Sequence, residues 1–161
     1  MRAGEWVAAL GAAGLFVMLF FDWFGLDSAF RATLRANGGD VSLTGWGSLG
    51  WFMVVLVCVL ILGGAALSYM TVKRASPAWP VGAGALTWIV GSLIFLVLVV
   101  RVCIAQPGPD TFVAVQAPAY LGLLFAFLIP LGGFLSLRDE RTQSAEALAY
   151  MPPPARTAPG T

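Results

Sequence analysis

The feature that most constrains this chain is an apolar run at 51–71, which contains no Asp, Glu, Lys or Arg. A run of this length crosses a bilayer, because a transmembrane α-helix takes about 20 apolar residues. The run begins with a tryptophan and is followed by Lys73 and Arg74. Basic residues collect on the cytoplasmic side of membranes. The run therefore predicts a transmembrane helix directed from the outer face of a membrane to the inner face.

Composition extends this interpretation to the whole chain. Of 161 residues, 59% are hydrophobic and 11% are charged, against roughly 25% charged in soluble domains. A single soluble core of this size cannot enclose so much apolar surface, so lipid is the expected solvent. The net charge of +1 argues against a nucleic-acid partner, since such partners are held through many basic side chains.

Residue types needed for common catalytic and metal sites are missing from the sequence. There is no histidine, which excludes histidine-ligated metal and the commonest general base. Cys58 and Cys103 cannot form a four-thiolate zinc site. We expect no metal, no cofactor and no catalytic residue.

Four hydrophobic segments are recognisable, at 5–24, 47–72, 79–103 and 112–137. For the first one, a signal peptide is the competing interpretation, but the bulky residues 21–24 offer no small-residue cleavage site. The sequence therefore predicts an all-α domain at 1–141, built as a four-helix antiparallel transmembrane bundle. Residues 142–161 are expected to form a largely disordered cytoplasmic tail, because three consecutive prolines favour extended, solvated chain.

The longest polar connection lies at 25–45. Leu26, Phe30 and Leu34 recur every four residues, and Arg31 and Arg35 lie on a neighbouring face. This periodicity predicts a short amphipathic helix in the first outer loop. A solvated loop without regular structure is the alternative.

The distribution of basic residues predicts the orientation. With the amino terminus inside, six basic residues lie on the inner side and three on the outer side. This asymmetry favours a multi-pass protein of the plasma membrane with both termini in the cytoplasm. The outer residues are Arg31, Arg35 and Arg101; the inner ones are Arg2, Lys73, Arg74, Arg138, Arg141 and Arg156.

Pairs of small residues spaced by four are candidate packing positions in the second, third and fourth segments. Such pairs let transmembrane helices approach closely, so we expect them at helix contacts. The pairs are Gly64 with Ser68, Thr87 with Gly91, and Gly122 with Ala126.

Polar and aromatic residues at the expected outer edge form a candidate structural cluster of Asp22, Trp23, Trp46 and Arg101. Tryptophans favour membrane interfaces. One hypothesis is that Asp22 and Arg101 form an ion pair that fixes how the first and third helices meet. The alternative is two charges that reach the interface separately, since exposed ion pairs contribute only about 0–1 kcal/mol.

A resemblance adds to this interpretation. Over roughly residues 5–141, the chain resembles a family of small four-helix membrane proteins common in actinobacteria. The residues that carry the likeness are FFDWF at 20–24, TGWGSLG at 44–50, Arg101 with QPG at 106–108, YLG at 120–122, GG at 132–133 and RDE at 138–140. In that family the first motif usually reads Leu-Pro-Trp, and here Asp22 replaces the proline. The resemblance implies the fold and the topology, and it implies no activity.

The leading hypothesis for function is a non-catalytic accessory or interaction subunit embedded in the lipid bilayer. Its partner would be another membrane protein or a second copy of itself. A small transporter or lipid-handling protein is the alternative, with an apolar pathway lined by tryptophans and Pro130. An enzyme is the weakest hypothesis, because only carboxylates near the interface are available as acid or base.

Overall fold

The computed structural model of the chain describes residues 3–26, 32, 36–37, 42–73, 79–106 and 113–149. These residues are mostly helical, which confirms the helical character predicted from the sequence. The elements in chain order are α1 (Ala3–Met18), β1 (Asp22–Leu26), β2 (Ser42–Thr44), α2 (Gly45–Ser48), α3 (Trp51–Lys73), α4 (Trp79–Cys103), β3 (Val113–Val115) and α5 (Ala117–Ala149).

Three of the helices contain stretches long and apolar enough to cross a membrane. These stretches are Trp51–Met70, Gly82–Cys103 and Ala117–Arg138. Helix α1 is also apolar, but with 16 residues it is shorter than the roughly 20 residues that a bilayer crossing takes. The helices are therefore compatible with a location in a membrane.

The long helices pack side by side around an apolar core. Helix α1 contacts α5 and α3, and α4 contacts the same two helices. Gly4 lies against Ser136 while Gly11 lies against Phe125, so α1 and α5 run in opposite directions. The centre of the core consists of fully buried side chains from several elements, among them Leu15, Val57, Leu98 and Ile129.

A small antiparallel sheet, which the sequence analysis did not predict, lies at one end of the helices. Strand β1 is central, with β2 and β3 on its two sides. Asp22 pairs with Thr44 and Phe24 with Val115, and the register with β2 shifts between Asp22 and Phe24. Aromatic and β-branched residues suit such strands. We call this end of the molecule the sheet end.

The sheet shortens three of the four predicted spans. Residues 22–24, assigned to the first span, lie in β1. Helix α1 ends before them, because the N–H groups of Phe20 and Phe21 donate to carbonyls only three residues earlier. Such hydrogen bonds tighten the last turn of a helix. The second span begins at Trp51 instead of 47, after a turn at Gly50 with a φ of 77°. The last span begins at Ala117 instead of 112, because β3 precedes it.

The last helix also extends further than the sequence analysis expected. Helix α5 continues to Ala149, so residues 142–149, assigned to the disordered tail, are helical. Alanine, glutamate and leucine at 145–148 are good helix formers and explain the extension. The proline-rich segment from 150 onwards lies outside the described residues, as does most of the connection at 25–45 in which a short amphipathic helix was predicted.

Candidate functional site at the sheet end

The four residues of the predicted outer-edge cluster all lie at the sheet end. Asp22 and Trp23 belong to β1, Trp46 to α2, and Arg101 to the last turn of α4. No hydrogen bond or ion pair joins the side chains of these four described residues to one another. Trp23, Trp46 and Arg101 make different contacts between this end and the helices.

Trp23 is the central residue of this end. Its side chain is fully buried, and its indole Nε1–H donates to the carbonyl of Met18 at 2.8 Å. The same carbonyl also accepts from the Phe21 N–H at 3.2 Å, so the indole adds a second hydrogen bond at the end of α1. The ring lies against Gly122, where an added Cβ would be 2.4 Å from a ring carbon, and near Gly45, where it would be 2.9 Å from Nε1. Two glycines therefore make room for this ring.

Trp46 lies in a different aromatic group. Its ring is half-buried and meets Phe16 and Phe20 edge to face, with centroid distances of 6.2 and 5.7 Å. The Nε1 atom is buried and has no hydrogen-bond acceptor among the described residues. An unsatisfied buried donor costs about 1–3 kcal/mol, so the ring contacts must outweigh that cost.

Arg101 ties the end of α4 to the short helix α2. Its guanidinium donates to the carbonyl of Ser48 at 3.3 Å and also to the carbonyl of Ala105. Ser48 is itself held by a hydrogen bond from its hydroxyl to the carbonyl of Thr44, at 2.8 Å. The arginine thus connects α4, through α2, to the end of β2.

Asp22 does not take part in that connection. It is half-buried in β1, opposite Thr44. The structure shows no ion pair between Asp22 and Arg101, both of which are described. The guanidinium is directed at backbone carbonyls instead.

The predicted packing residues lie between helices. A Cβ on Gly64 would be 3.2 Å from the Cβ of Ala12, and one on Gly91 would be 3.3 Å from Pro130. The Ser68 hydroxyl donates to the main-chain carbonyls of Glu5 and Gly64, both at 3.0 Å. Thr87 lies 3.4 Å from the Cβ position of Gly133, Gly122 holds Trp23, and Ala126 is fully buried.

Sequence reasoning missed a second buried site, at the end of α1 away from the sheet. The Glu5 side chain is only 1% exposed, and Ser68 and Ser136 are buried nearby on α3 and α5. From the sequence, Glu5 is expected at the membrane interface because it precedes Trp6, and this expectation did not include its burial. The available signal was Gly4, Ala8 and Ala12, small residues every four positions that bring α5 close to this face of α1.

The closest approach of one helix to the backbone of another belongs to the same site. A Cβ on Gly132 would lie 2.5 Å from the carbonyl oxygen of Gly4 and 2.6 Å from the backbone nitrogen of Ala8. These are backbone atoms, so α1 and α5 touch directly at this crossing. The contact brings the turn of α1 that contains Glu5 against α5.

Comparison with protein-family models, with curated proteins and with solved structures finds no match to this chain. The resemblance to small actinobacterial four-helix membrane proteins therefore stays a prediction.

Proposed function

We propose that this chain is a multi-pass integral protein of the plasma membrane, with four antiparallel transmembrane helices and both termini in the cytoplasm. Its proposed role is that of a non-catalytic accessory or interaction subunit. The observation that carries the membrane proposal is the set of large apolar side chains exposed around all four helices. Examples are Leu10, Leu62, Leu93 and Leu124, each at least half exposed.

Lipid explains that exposure better than water does. Burying apolar surface stabilises a protein by about 25 cal/mol per Å², and soluble monomers rarely expose apolar patches of this extent. In a bilayer the same side chains face hydrocarbon at no such cost. Helix α1 would cross as the shortest span, with Phe20 and Phe21, both about half exposed, extending its apolar surface beyond Met18.

A group of small residues on α3 supports the role of an interaction subunit. A Cβ on Gly63 would meet no atom within 4 Å, and Ala65 and Ala66 beside it are exposed. Small residues let a second transmembrane helix approach closely. A helix of another membrane protein, or of a second copy, is therefore the partner that fits this face.

The alternative, a small transporter or lipid-handling protein, is favoured by Glu5. Ionisable groups buried among transmembrane helices are costly and mark transport pathways and proton relays. Glu5 lies with two buried serines. Its position near one end of the helices, beside the main-chain contact with Ser68, fits a structural role equally well.

Cross-linked, tagged purification from native membranes, followed by mass spectrometry, tests the subunit proposal. Three forms are compared: the natural chain, Ala66→Leu, and the matched control Ala13→Leu, which enlarges an exposed alanine on α1. We expect a partner near equal stoichiometry with the natural chain and the control, and its loss with Ala66→Leu.

Two results would count against the subunit role. Recovery of the same partner with Ala66→Leu would exclude the α3 face as the contact. Absence of any partner from all three forms would favour the transporter instead. The next measurement would then be substrate transport by the natural chain and by Glu5→Gln, with loss of transport expected in the variant.

A further inference from the structure

The guanidinium of Arg101 has hydrogen-bonding capacity that its contacts leave unused. Among the described residues it makes two hydrogen bonds, to the carbonyls of Ser48 and Ala105. An arginine side chain carries five N–H donors, so about three are left for a ligand. The side chain is only half-buried, so these donors are near the surface of the molecule.

The two most exposed large apolar side chains of the described residues belong to the two segments that this guanidinium ties together. Trp51 is 81% exposed and Ile104 is 72% exposed. Trp51 follows Ser48 by three residues at the start of α3, and Ile104 follows Arg101 by three residues. A cation with unused donors thus lies at the sheet end of α4, and one exposed apolar side chain follows it in the chain while the other follows its partner Ser48.

We propose that this corner binds the phosphate of an anionic phospholipid, with the acyl chains against Trp51 and Ile104. The inference rests on the proposed membrane location and names a ligand for the sheet end. A guanidinium forms paired, charge-assisted hydrogen bonds with phosphate oxygens. The adjoining apolar side chains favour a lipid over free phosphate. Among the described residues, no carboxylate forms an ion pair with Arg101, so none competes with a phosphate for its donors.

Native mass spectrometry of the detergent-purified full chain tests this site. The probes are phosphatidylglycerol and phosphatidylcholine with identical acyl chains, titrated separately. The natural chain is expected to bind phosphatidylglycerol more tightly, and Arg101→Gln is expected to lower that affinity about tenfold, as for a lost charged hydrogen bond. Binding of phosphatidylcholine should change much less.

Because Arg101 also holds Ser48, a second variant leaves the arginine in place. The double variant Trp51→Ala/Ile104→Ala is expected to lower the affinity for phosphatidylglycerol several-fold, since it removes the apolar surface and keeps the guanidinium. The matched control is Trp6→Ala/Leu86→Ala, which truncates side chains that are 62% and 66% exposed and lie towards the opposite end of α1 and α4. The control should bind like the natural chain.

Equal affinity of the natural chain for the two lipids, or an equal loss in the control, would overturn the lipid site. Displacement of the lipid by millimolar inorganic phosphate would show a site for free phosphate and would also overturn it. Sodium carbonate extraction of membranes separates this failure from failure of the proposed function. A chain that resists extraction yet shows no lipid preference loses only the Arg101 site, whereas an extractable chain loses the membrane proposal itself.

Discussion

The indole ring of Trp23 lies directly against Gly122, where a Cβ on residue 122 would approach the ring to 2.4 Å. Both residues are buried. The contact joins strand β1 to the first turns of α5. A fully enclosed ring cannot swing aside, so the sheet and the helices are fixed to each other at this point.

Substitution of Gly122 should therefore destabilise the fold. Gly122→Ala is expected to lower the free energy of unfolding by about 1–3 kcal/mol, the usual cost of overpacking. Unfolding in detergent micelles, followed by circular dichroism, measures the change. Gly63→Ala is the matched control, because its Cβ meets open space, and it should be neutral or stabilise by up to about 1 kcal/mol through helix propensity. Equal effects of the two substitutions would contradict the Trp23 contact.

The two sheet-end tryptophans should respond differently to the same change. Trp23→Phe loses the hydrogen bond to Met18 and leaves a gap beside Gly122, so we expect a loss of about 2–4 kcal/mol. Trp46→Phe keeps the edge-to-face contacts and removes a buried donor that has no acceptor among the described residues, so its cost should be below about 1 kcal/mol. The unfolding midpoints of the two variants give the comparison, and the reverse order would show that the hydrogen bonding of one indole is misassigned.

The crossing of α1 and α5 should be the least tolerant of added atoms. Gly132→Ala places a Cβ within 2.7 Å of three atoms of Gly4 and Ala8, two of them backbone. Because backbone cannot rotate away, we expect a loss of at least about 2 kcal/mol. Gly82→Ala, whose Cβ has no neighbour within 4 Å, controls for the change of residue type. If Gly132→Ala folded as stably as the control in micelles, the direct contact between these helices would be disproved.

The hydrogen bond between α3 and α1 should make a smaller contribution. Ser68→Ala removes the donor to the Glu5 carbonyl and is expected to cost about 0.6 kcal/mol, typical for a bond between membrane helices. Reversible unfolding in mixed micelles measures the free energy of unfolding of Ser68→Ala, of Gly132→Ala and of the double variant. The two effects should be non-additive, because both sites join the same end of α1. Simple additivity would indicate that Ser68 and Gly132 act on independent contacts.

Helices were predictable from this sequence because their signal is local. The uncharged run beginning at Trp51 is long and apolar, and these two properties are enough to predict a helix of membrane-spanning length. The small residues at Gly64 and Ser68 recur with the spacing of one helix face. Nothing distant in the chain is needed to recognise either pattern.

The sheet was not predictable in the same way. Its strands have three to five residues and come from segments as far apart as Asp22 and Val115. The residues of β1 and β3 adjoin apolar helices, so they are interpreted from the sequence as the ends of helices, whereas β2 lies in the segment assigned to the polar connection. The small residues Gly4 and Ala8 indicate a close helix contact on this face of α1, but they do not reveal that the partner is Gly132, more than a hundred residues away.

Accessibility of single cysteines in intact cells tests the proposed membrane topology most directly. In a Cys58→Ser/Cys103→Ser background, Ala105→Cys places a thiol at an exposed position of the sheet end, and Thr161→Cys places one at the end of the tail. With a membrane-impermeant maleimide, Ala105→Cys should react in intact cells, and Thr161→Cys should react only after the membrane is permeabilised. Labelling of both thiols in intact cells would contradict a cytoplasmic carboxyl terminus. Labelling of Thr161→Cys alone would contradict both that terminus and an outward-facing sheet.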